Sequence, residues 1–476
     1  MFKSSLSSSI CLNSIKKCIT NNGYITPRVK PLEYTLAKII PICKDIGVTR
    51  ISDITYMDKL YIPNFSAILP GTEDSIWVYS GKGLTKQQAK TSSLMESIER
   101  YCSLPSIYSK SLIHGTYLEL SKTYKKVLHP NEVVEPVESN YNDKESIIDY
   151  IQGFDLLKNE EVLVPAQLVF SKFSAKAPSI NIFPYSHTNG LASGNVLEEA
   201  ICHGLCEVIE RDAVSIADLC SSSIPYSILE NILKSLKNSD YSPNLSNQIP
   251  EDKFVDDANI YPEVNISEIV KEFEPIKFLV RKFIDAGISL LIKDITQKDI
   301  DIPTFVASSI EWVTNDYGYF AKGYGTHPDS RIALIRAITE LSQTRAVNIQ
   351  GARDDLKRIQ YRDKDEIYKR KWQFIASSPS SSSTQTNNNK NIAFSEIKTY
   401  IKKDILDDIK LILNKLKKAG LKRAIVVNLT NSNVGIPVVR IIVPGLETFE
   451  VAKIYTDTNL IFGKRARKQF WKIQHP

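Results

Sequence analysis

Apolar positions along this chain follow two periods. From Leu32 onward, Leu36, Ile39, Ile40 and Cys43 recur at helical spacing, and Gly47 stands where a C-cap would end the run. The stretch "SLMESIERY", Ser93–Tyr101, reads as an apolar helix that carries two glutamates three positions apart. Near the other end, Ile401, Ile405, Ile409, Ile412 and Leu416 mark an amphipathic helix closed by Gly420. The apolar runs "AIVVNL" and "VVRIIV" after it read as two buried strands. Helices and buried strands mixed in this way predict an α/β or α+β fold.

Three stretches break the pattern. The opening "MFKSSLSSSICLNSIKKCITNNGY" has no acidic residue and little periodicity, so a disordered tail is expected over 1–26; a basic, Ser-rich transit peptide is the alternative. Residues from about 221 to 263 are polar and turn-rich, and 376–391 are a Ser/Asn low-complexity tract. Both read as surface inserts within one domain spanning 27–476.

The glutamate helix occurs more than once. A shift of 111 positions (207 minus 96) lays Gly83 on Gly194, Ala89 on Ala200, Leu94 on Leu205, Glu96 on Glu207, Glu99 on Glu210 and Arg100 on Arg211. A shift of 244 (340 minus 96) finds a third copy, "ALIRAITELSQTR", which places Glu340 on Glu96 but Gln343 on Glu99. A period this long belongs to units of subdomain size rather than to a solenoid.

One Glu-x-x-Glu on an amphipathic helix is ordinarily a solvated edge. Matched copies with apolar neighbours are different, because carboxylates gathered away from water raise one another's pKa and require a cation. All-oxygen donors of this kind suit Mg²⁺, which keeps waters and commonly shares its sphere with substrate phosphates. The second copy follows "TNGLASGNVLEEA", where Gly190 and Gly194 allow close backbone approach and Asn195 and Glu199 stand one helical turn apart. Lys82 sits between glycines before the first copy, and Arg211 and Arg336 lie in the second and third. Arginines beside phosphate act as charge-assisted forks. Cys202, His203 and Cys206 lack a second Cys/His pair, which leaves a structural zinc site incomplete.

Composition narrows the class. At 476 residues and 42% hydrophobic, the chain can bury one large core or several smaller ones. A net charge of +6, from 60 basic and 54 acidic residues, is too small for a dedicated nucleic-acid binder. Seven cysteines without a CxxC pair argue against a disulfide framework and for a reducing cytoplasm. No apolar run is long enough to span a membrane.

Taken together, "SSLMESIE", "NGLASGN", "EAICHGLCEVIERD", "RAITELSQ" and "PVVRIIVPGLE" resemble the YcaO family over about residue 27 to the C-terminus, the two inserts excepted. The resemblance implies a YcaO-type fold of repeated subdomains packed around a central nucleotide, and an enzyme that uses ATP and Mg²⁺ on backbone amides. By position it implies metal binding by Glu96, Glu99, Glu207 and Glu210, with Glu340 on the third helix. It implies nucleotide or phosphate contacts from Ser92, Asn195, Glu199, Arg211 and Arg336. In "PRVKPLEYT", Arg28 and Thr35 take the places of a basic residue and a hydroxyl that meet ATP, and Lys82 is a further candidate. No residue is assigned as the catalytic base.

The family's chemistry places the γ-phosphoryl of ATP on an amide oxygen so that a nucleophile can replace it. Azoline-forming members commonly end in a Pro-x-Pro-x-Pro tail, whereas this chain ends "RKQFWKIQHP". The run from Arg28 to Pro70 looks most like a methanogen branch, whose members resemble a thioamide-forming enzyme acting on a glycine of methyl-coenzyme M reductase. The expectation is therefore protein thioamidation with a TfuA-like partner delivering sulfur. An azoline-forming cyclodehydratase and a nucleotide-bound, non-catalytic scaffold are the alternatives, and a homodimer is left open.

Overall fold

The computed structural model describes residues 10–19, 24–74, 76–124, 126–134, 137–138, 140–183, 187–220, 261–312, 317–351, 361–363, 391–448, 463, 465–466 and 468–469. Both expected inserts fall almost wholly outside these residues. The chain divides into two units, one made of 1–54, 63–208 and 401–446, the other of 55–62, 209–400 and 447–476.

The first unit holds two sheets. Strands β1 (Arg50–Asp53), β2 (Asn64–Ile68) and β3 (Val78–Lys82) form an antiparallel meander. The larger sheet is built from β4 (Ile113–Gly115), β5 (Ile148–Asp155), β6 (Glu160–Pro165), β7 (Leu191–Ser193), β14 (Ile425–Asn428) and β15 (Val438–Ile442). Its order is β4-β5-β14-β15-β7, with β6 on the other side of β5, so β7 is an edge strand. The runs "AIVVNL" and "VVRIIV" are β14 and β15, the buried strands that their apolar continuity predicts.

Helices α1 (Leu32–Asp45), α2 (Lys86–Cys102) and α3 (Tyr117–Thr123) belong to this unit with α8 (Ile405–Lys418). Ile39, Leu94, Ile98, Tyr150, Val164, Phe170, Ile425 and Val438 meet in its core. Gly47 and Gly420 follow α1 and α8 with φ of 101° and 87°, the left-handed conformation expected at helix ends. Helix α8 starts later than its apolar pattern suggests. Asp404 accepts a hydrogen bond from Leu406 N at 2.8 Å and caps the helix, while Ile401 lies outside it and is exposed.

The second unit carries the sheet β12-β11-β10-β9-β8-β13, formed by β8 (Glu263–Asn265), β9 (Leu291–Asp294), β10 (Thr304–Trp312), β11 (Tyr317–Thr326), β12 (Tyr361–Asp363) and β13 (Asn391–Ala393). Helices α5 (Ser267–Glu272), α6 (Glu274–Ala286) and α7 (Ser330–Gln350) accompany it. Asp58, from the short excursion 55–62, forms a buried bidentate pair with Arg345 of α7 at 2.9 and 2.8 Å. Helix α4 (Leu197–Cys220) contributes residues to both units, which divide at Val208/Ile209.

The repeat is written into the element boundaries. Strand β3 ends at 82 and α2 begins at 86; β7 ends at 193 and α4 begins at 197; β11 ends at 326 and α7 begins at 330. These borders differ by the same 111 and 244 positions that align the motifs, with a three-residue turn each time. Glycines set how closely strand and helix approach. A Cβ added at Gly81 would lie 2.2 Å from Ala89 O and 2.1 Å from Ser93 N; one at Gly325 would lie 2.1 Å from Ala333 O and 2.5 Å from Ala337 N, the same partners 244 positions on. Only hydrogen fits there.

Residues 10–19 and 24–26 of the segment expected to be a tail are described, and they carry specific contacts. Asn13 N donates to Glu198 Oε1 at 2.7 Å, Ile405 N donates to Ile15 O at 3.1 Å, and buried Lys17 pairs with buried Asp408. Carboxylates at the starts of α4 and α8 hold this basic segment, a complementarity that composition alone does not reveal.

Candidate functional site

Two groups of residues in the first unit answer the sequence expectations. The first is a line of hydrogen bonds between the segment before α4 and the start of the chain's first helix. Pro31 precedes α1, and Thr35, one turn in, donates from Oγ1 to Asn195 Oδ1 at 2.8 Å. Asn195 Nδ2 reaches the two oxygens of Glu199 at 3.4 and 3.2 Å. Glu199 is buried and also accepts from Arg28 Nη1 at 2.7 Å and Val29 N at 3.3 Å. Arg28, Thr35, Asn195 and Glu199, separated by up to 171 positions, are thus brought together.

The second group is acidic. Glu99 projects from α2 to Ser193 at the end of β7, where Oε1 accepts from the backbone N–H at 2.9 Å and from Oγ at 2.6 Å. Burial pushes its carboxyl up to about 8, and the charges of Glu96 and Glu207 add to the shift, against the lowering effect of Ser193. Glu96 is held loosely by Arg100 Nη2 at 3.5 Å, and Arg100 in turn lies 3.6 Å from Asp74 and over the Tyr79 ring. Lys82 and Ser92 are half-buried at the end of β3 and on α2.

The remaining candidates lie in the second unit. Glu210 is buried one helical turn beyond Glu207 on α4, with half-buried Arg211 beside it. In the third copy Glu340 accepts from Tyr324 N at 3.2 Å, and Arg336 Nη1 donates to Thr326 O at 2.9 Å. Both bonds tie the helix back to its own strand.

Among the described residues no three His, Cys, Asp or Glu side chains are already gathered as a metal cage. The donor chemistry nevertheless fits Mg²⁺, which takes few protein carboxylates and retains water. Glu99 is a carboxyl that resists ionising beside two others, and among the described residues no protein donor reaches its Oε2. A divalent cation would relieve that repulsion. Cys202 and Cys206 are buried core thiols, and the hydrogen bond between them, with burial, raises the Cys202 thiol well above its usual range.

Sequence reasoning missed two features. Ser193 lies inside the quoted "NGLASGN", and its place at the end of an edge strand emerges only in the assembled sheet. The other is a buried ionic cluster in the second unit. Fully buried Asp212 accepts from Glu447 N at 3.0 Å and from Arg465 Nε at 2.9 Å, while Arg465 Nη2 donates to Asp299 at 2.7 Å. Glu447 accepts from Gly463 N at 2.8 Å and Ala466 N at 2.9 Å, and burial, together with the nearby Asp212 charge, raises it to about 7. Three of these residues lie within or beside the quoted motifs, but their meeting is a long-range event.

Repeated strand–turn–helix units that present carboxylates, arginines and glycine turns carry the residue types that suit phosphate and a divalent cation. The chain matches the profile described as YcaO cyclodehydratase, ATP- and Mg²⁺-binding, over residues 80–249 and 255–447, and belongs to that family of ATP-dependent enzymes. It is 34% identical over 409 residues to an uncharacterised protein of Methanothermobacter thermautotrophicus, covering 85% of this chain and 91% of that one. It is 28% identical over 420 residues to an uncharacterised protein encoded in the tfuA 3' region of Rhizobium leguminosarum bv. trifolii, covering 87% of each. Among solved structures, the YcaO of Methanopyrus kandleri bound with AMPPCP and Mg²⁺ superposes with a TM-score of 0.61 at 21% identity, over 93% of this chain and 97% of that one. A heterocyclase in complex with substrate and cofactor superposes at 0.67 and 19% identity over 97% of this chain, which spans 58% of that protein's length. These likenesses carry the fold. No described helix is long and apolar enough to cross a membrane.

Proposed function

We propose that this protein uses ATP to activate a backbone amide of a peptide or protein, and that sulfide or its equivalent then replaces the amide oxygen, giving a thioamide. The carrying observation is buried Glu99, fixed through one oxygen by Ser193 and close enough to Glu96 and Glu207 to feel both charges, inside a chain that belongs to an ATP- and Mg²⁺-binding family. In this reading Glu96, Glu99, Glu207 and Glu210 hold Mg²⁺ with Glu340 from the third copy. Arg28, Thr35, Lys82, Ser92, Asn195, Glu199, Arg211 and Arg336 hold the nucleotide. Held there, Mg²⁺ would supply neutralisation of the ATP phosphate charge; the amide oxygen would take the γ-phosphoryl and leave as inorganic phosphate when sulfide replaces it. Arg211 and Arg336 orient and stabilise the same oxygens. Arg28 and Thr35 must exchange their present partners, Glu199 and Asn195, for the nucleotide or share them with it.

Sulfur as the nucleophile is supported by the relative encoded beside tfuA, and a TfuA-like protein is the partner this reading assigns. A glycine of methyl-coenzyme M reductase is the modified residue in this reading, on the ground of the resemblance of the run Arg28 to Pro70 to a methanogen branch. A reducing cytoplasm is the fitting compartment for its free cysteines. The test is mass spectrometry of a glycine-containing peptide incubated with the protein, ATP, Mg²⁺, sulfide and a TfuA-like protein. Exchange of one oxygen for sulfur is expected. Loss of water from a Cys, Ser or Thr peptide would instead assign azoline formation, and ATP binding without substrate-stimulated phosphate release would leave a scaffold.

A further inference from the structure

Ser193 closes β7, the edge strand of its sheet, where it pairs with Val438 of β15. The neighbouring Gly194 N donates to Pro437 O at 3.1 Å, on the β15 side. Alternation along a strand sends the Ser193 N–H the other way, off the edge, where it needs a different acceptor. Glu99 of α2 supplies one, and the Ser193 hydroxyl donates to the same oxygen. Ser193 is 2% exposed, so water cannot take its place at either donor.

Two donors from one rigid residue, at 2.9 and 2.6 Å, define where Glu99 Oε1 sits and therefore how its carboxyl plane is turned. Oε2 is left with no protein donor among the described residues, on a carboxyl close enough to feel Glu96 and Glu207. We infer that Ser193 is a positioning residue for the metal, which occupies one oxygen of Glu99 so that the other is the one offered to the cation. This rests on the metal reading given under Proposed function. Ser193 touches neither nucleotide nor peptide in this role; it acts through Glu99, as outer groups do when they orient a ligand.

The test is direct metal binding by the full chain, with Mn²⁺ as a paramagnetic probe titrated in the presence of AMPPCP and followed by electron paramagnetic resonance. Ser193→Ala should weaken Mn²⁺ by about 10-fold to 100-fold. The same change in a Glu99→Gln background should add less than about twofold, because the group through which Ser193 acts has already been altered. An unchanged Mn²⁺ affinity in Ser193→Ala, or an equal loss with and without Glu99→Gln, overturns the inference. So does a far-UV circular dichroism melt of metal-free Ser193→Ala well below that of the wild type, which would make Ser193 merely structural. Failure of the wild-type chain to bind Mn²⁺ with AMPPCP overturns the metal reading itself, a separate outcome.

Discussion

Replacing Gly81 by alanine tests how the acidic helix is set against its strand. The new Cβ would lie 2.1 Å from Ser93 N and 2.2 Å from Ala89 O, both backbone atoms of α2, whereas ordinary contacts begin near 3.4 Å. The shortfall at Ser93 is 1.3 Å (3.4 minus 2.1). No rotamer can absorb it, so α2 must withdraw by about 1 Å along a tightly packed face. That is overpacking at the upper end of its range, roughly 3 kcal/mol. For a body of 150–250 residues it lowers the melting temperature by roughly 6–12 °C. Because α2 carries Glu96 and Glu99, Mg²⁺-dependent phosphate release should fall further than stability does, when assayed well below the melt. Gly325→Ala meets backbone at 2.1 and 2.5 Å in the third copy and should cost a similar amount. Gly71→Ala is the control, since its φ of 73° gives only backbone strain and no atom lies within 4 Å. Urea unfolding followed by circular dichroism reads all three. A Gly81→Ala chain no less stable than Gly71→Ala would refute the argument.

The other predictions concern charge. Glu99 titrates near 4.5 when unfolded and about 8 in the fold, so between those values the native state binds the extra proton, and metal-free stability should fall as pH rises through that window. Urea midpoints at about pH 5 and about pH 8.5 measure this, and Glu99→Gln should flatten the trend. Arg345→Ala strands buried Asp58 and should cost roughly 3–5 kcal/mol in urea unfolding, while the double change Arg345→Met with Asp58→Asn should cost clearly less than the sum of its parts. Glu99→Gln and Glu210→Gln should each abolish Mg²⁺-dependent phosphate release at millimolar Mg²⁺; normal turnover in either would remove that residue from the metal site.

What could be read ahead of the structure was whatever repeats or alternates locally. Leu36 to Cys43 and Ile405 to Leu416 announced helices because one face of each is buried, and β14 and β15 announced themselves because both faces are. The repeat was legible because the same strand–turn–helix contact constrains residue type at the same offsets, as Gly83 and Gly194 show. The Asp58–Arg345 pair, 287 positions apart, and the Asp212–Arg465 pair, 253 apart, leave no local period to detect. Lys17 and its neighbours looked like a tail because their acceptors, Glu198, Asp404 and Asp408, are supplied by distant helix starts. Ser193 was hidden for a related reason: its importance comes from being on an edge, and edges are properties of the assembled sheet.

The order of strands in the larger sheet has a consequence for biosynthesis. Strands β5 and β7 leave the ribosome long before β14 and β15, yet the later pair is what stands between them. Until residue 442 has been translated, the middle of that sheet is missing, and the backbone N–H and C=O groups along the facing edges of β5 and β7 wait unpaired. The first unit therefore completes only once β15 has emerged, and synthesis stalled before Val438 would leave a nascent polypeptide with open strand edges, the kind of species that chaperones bind.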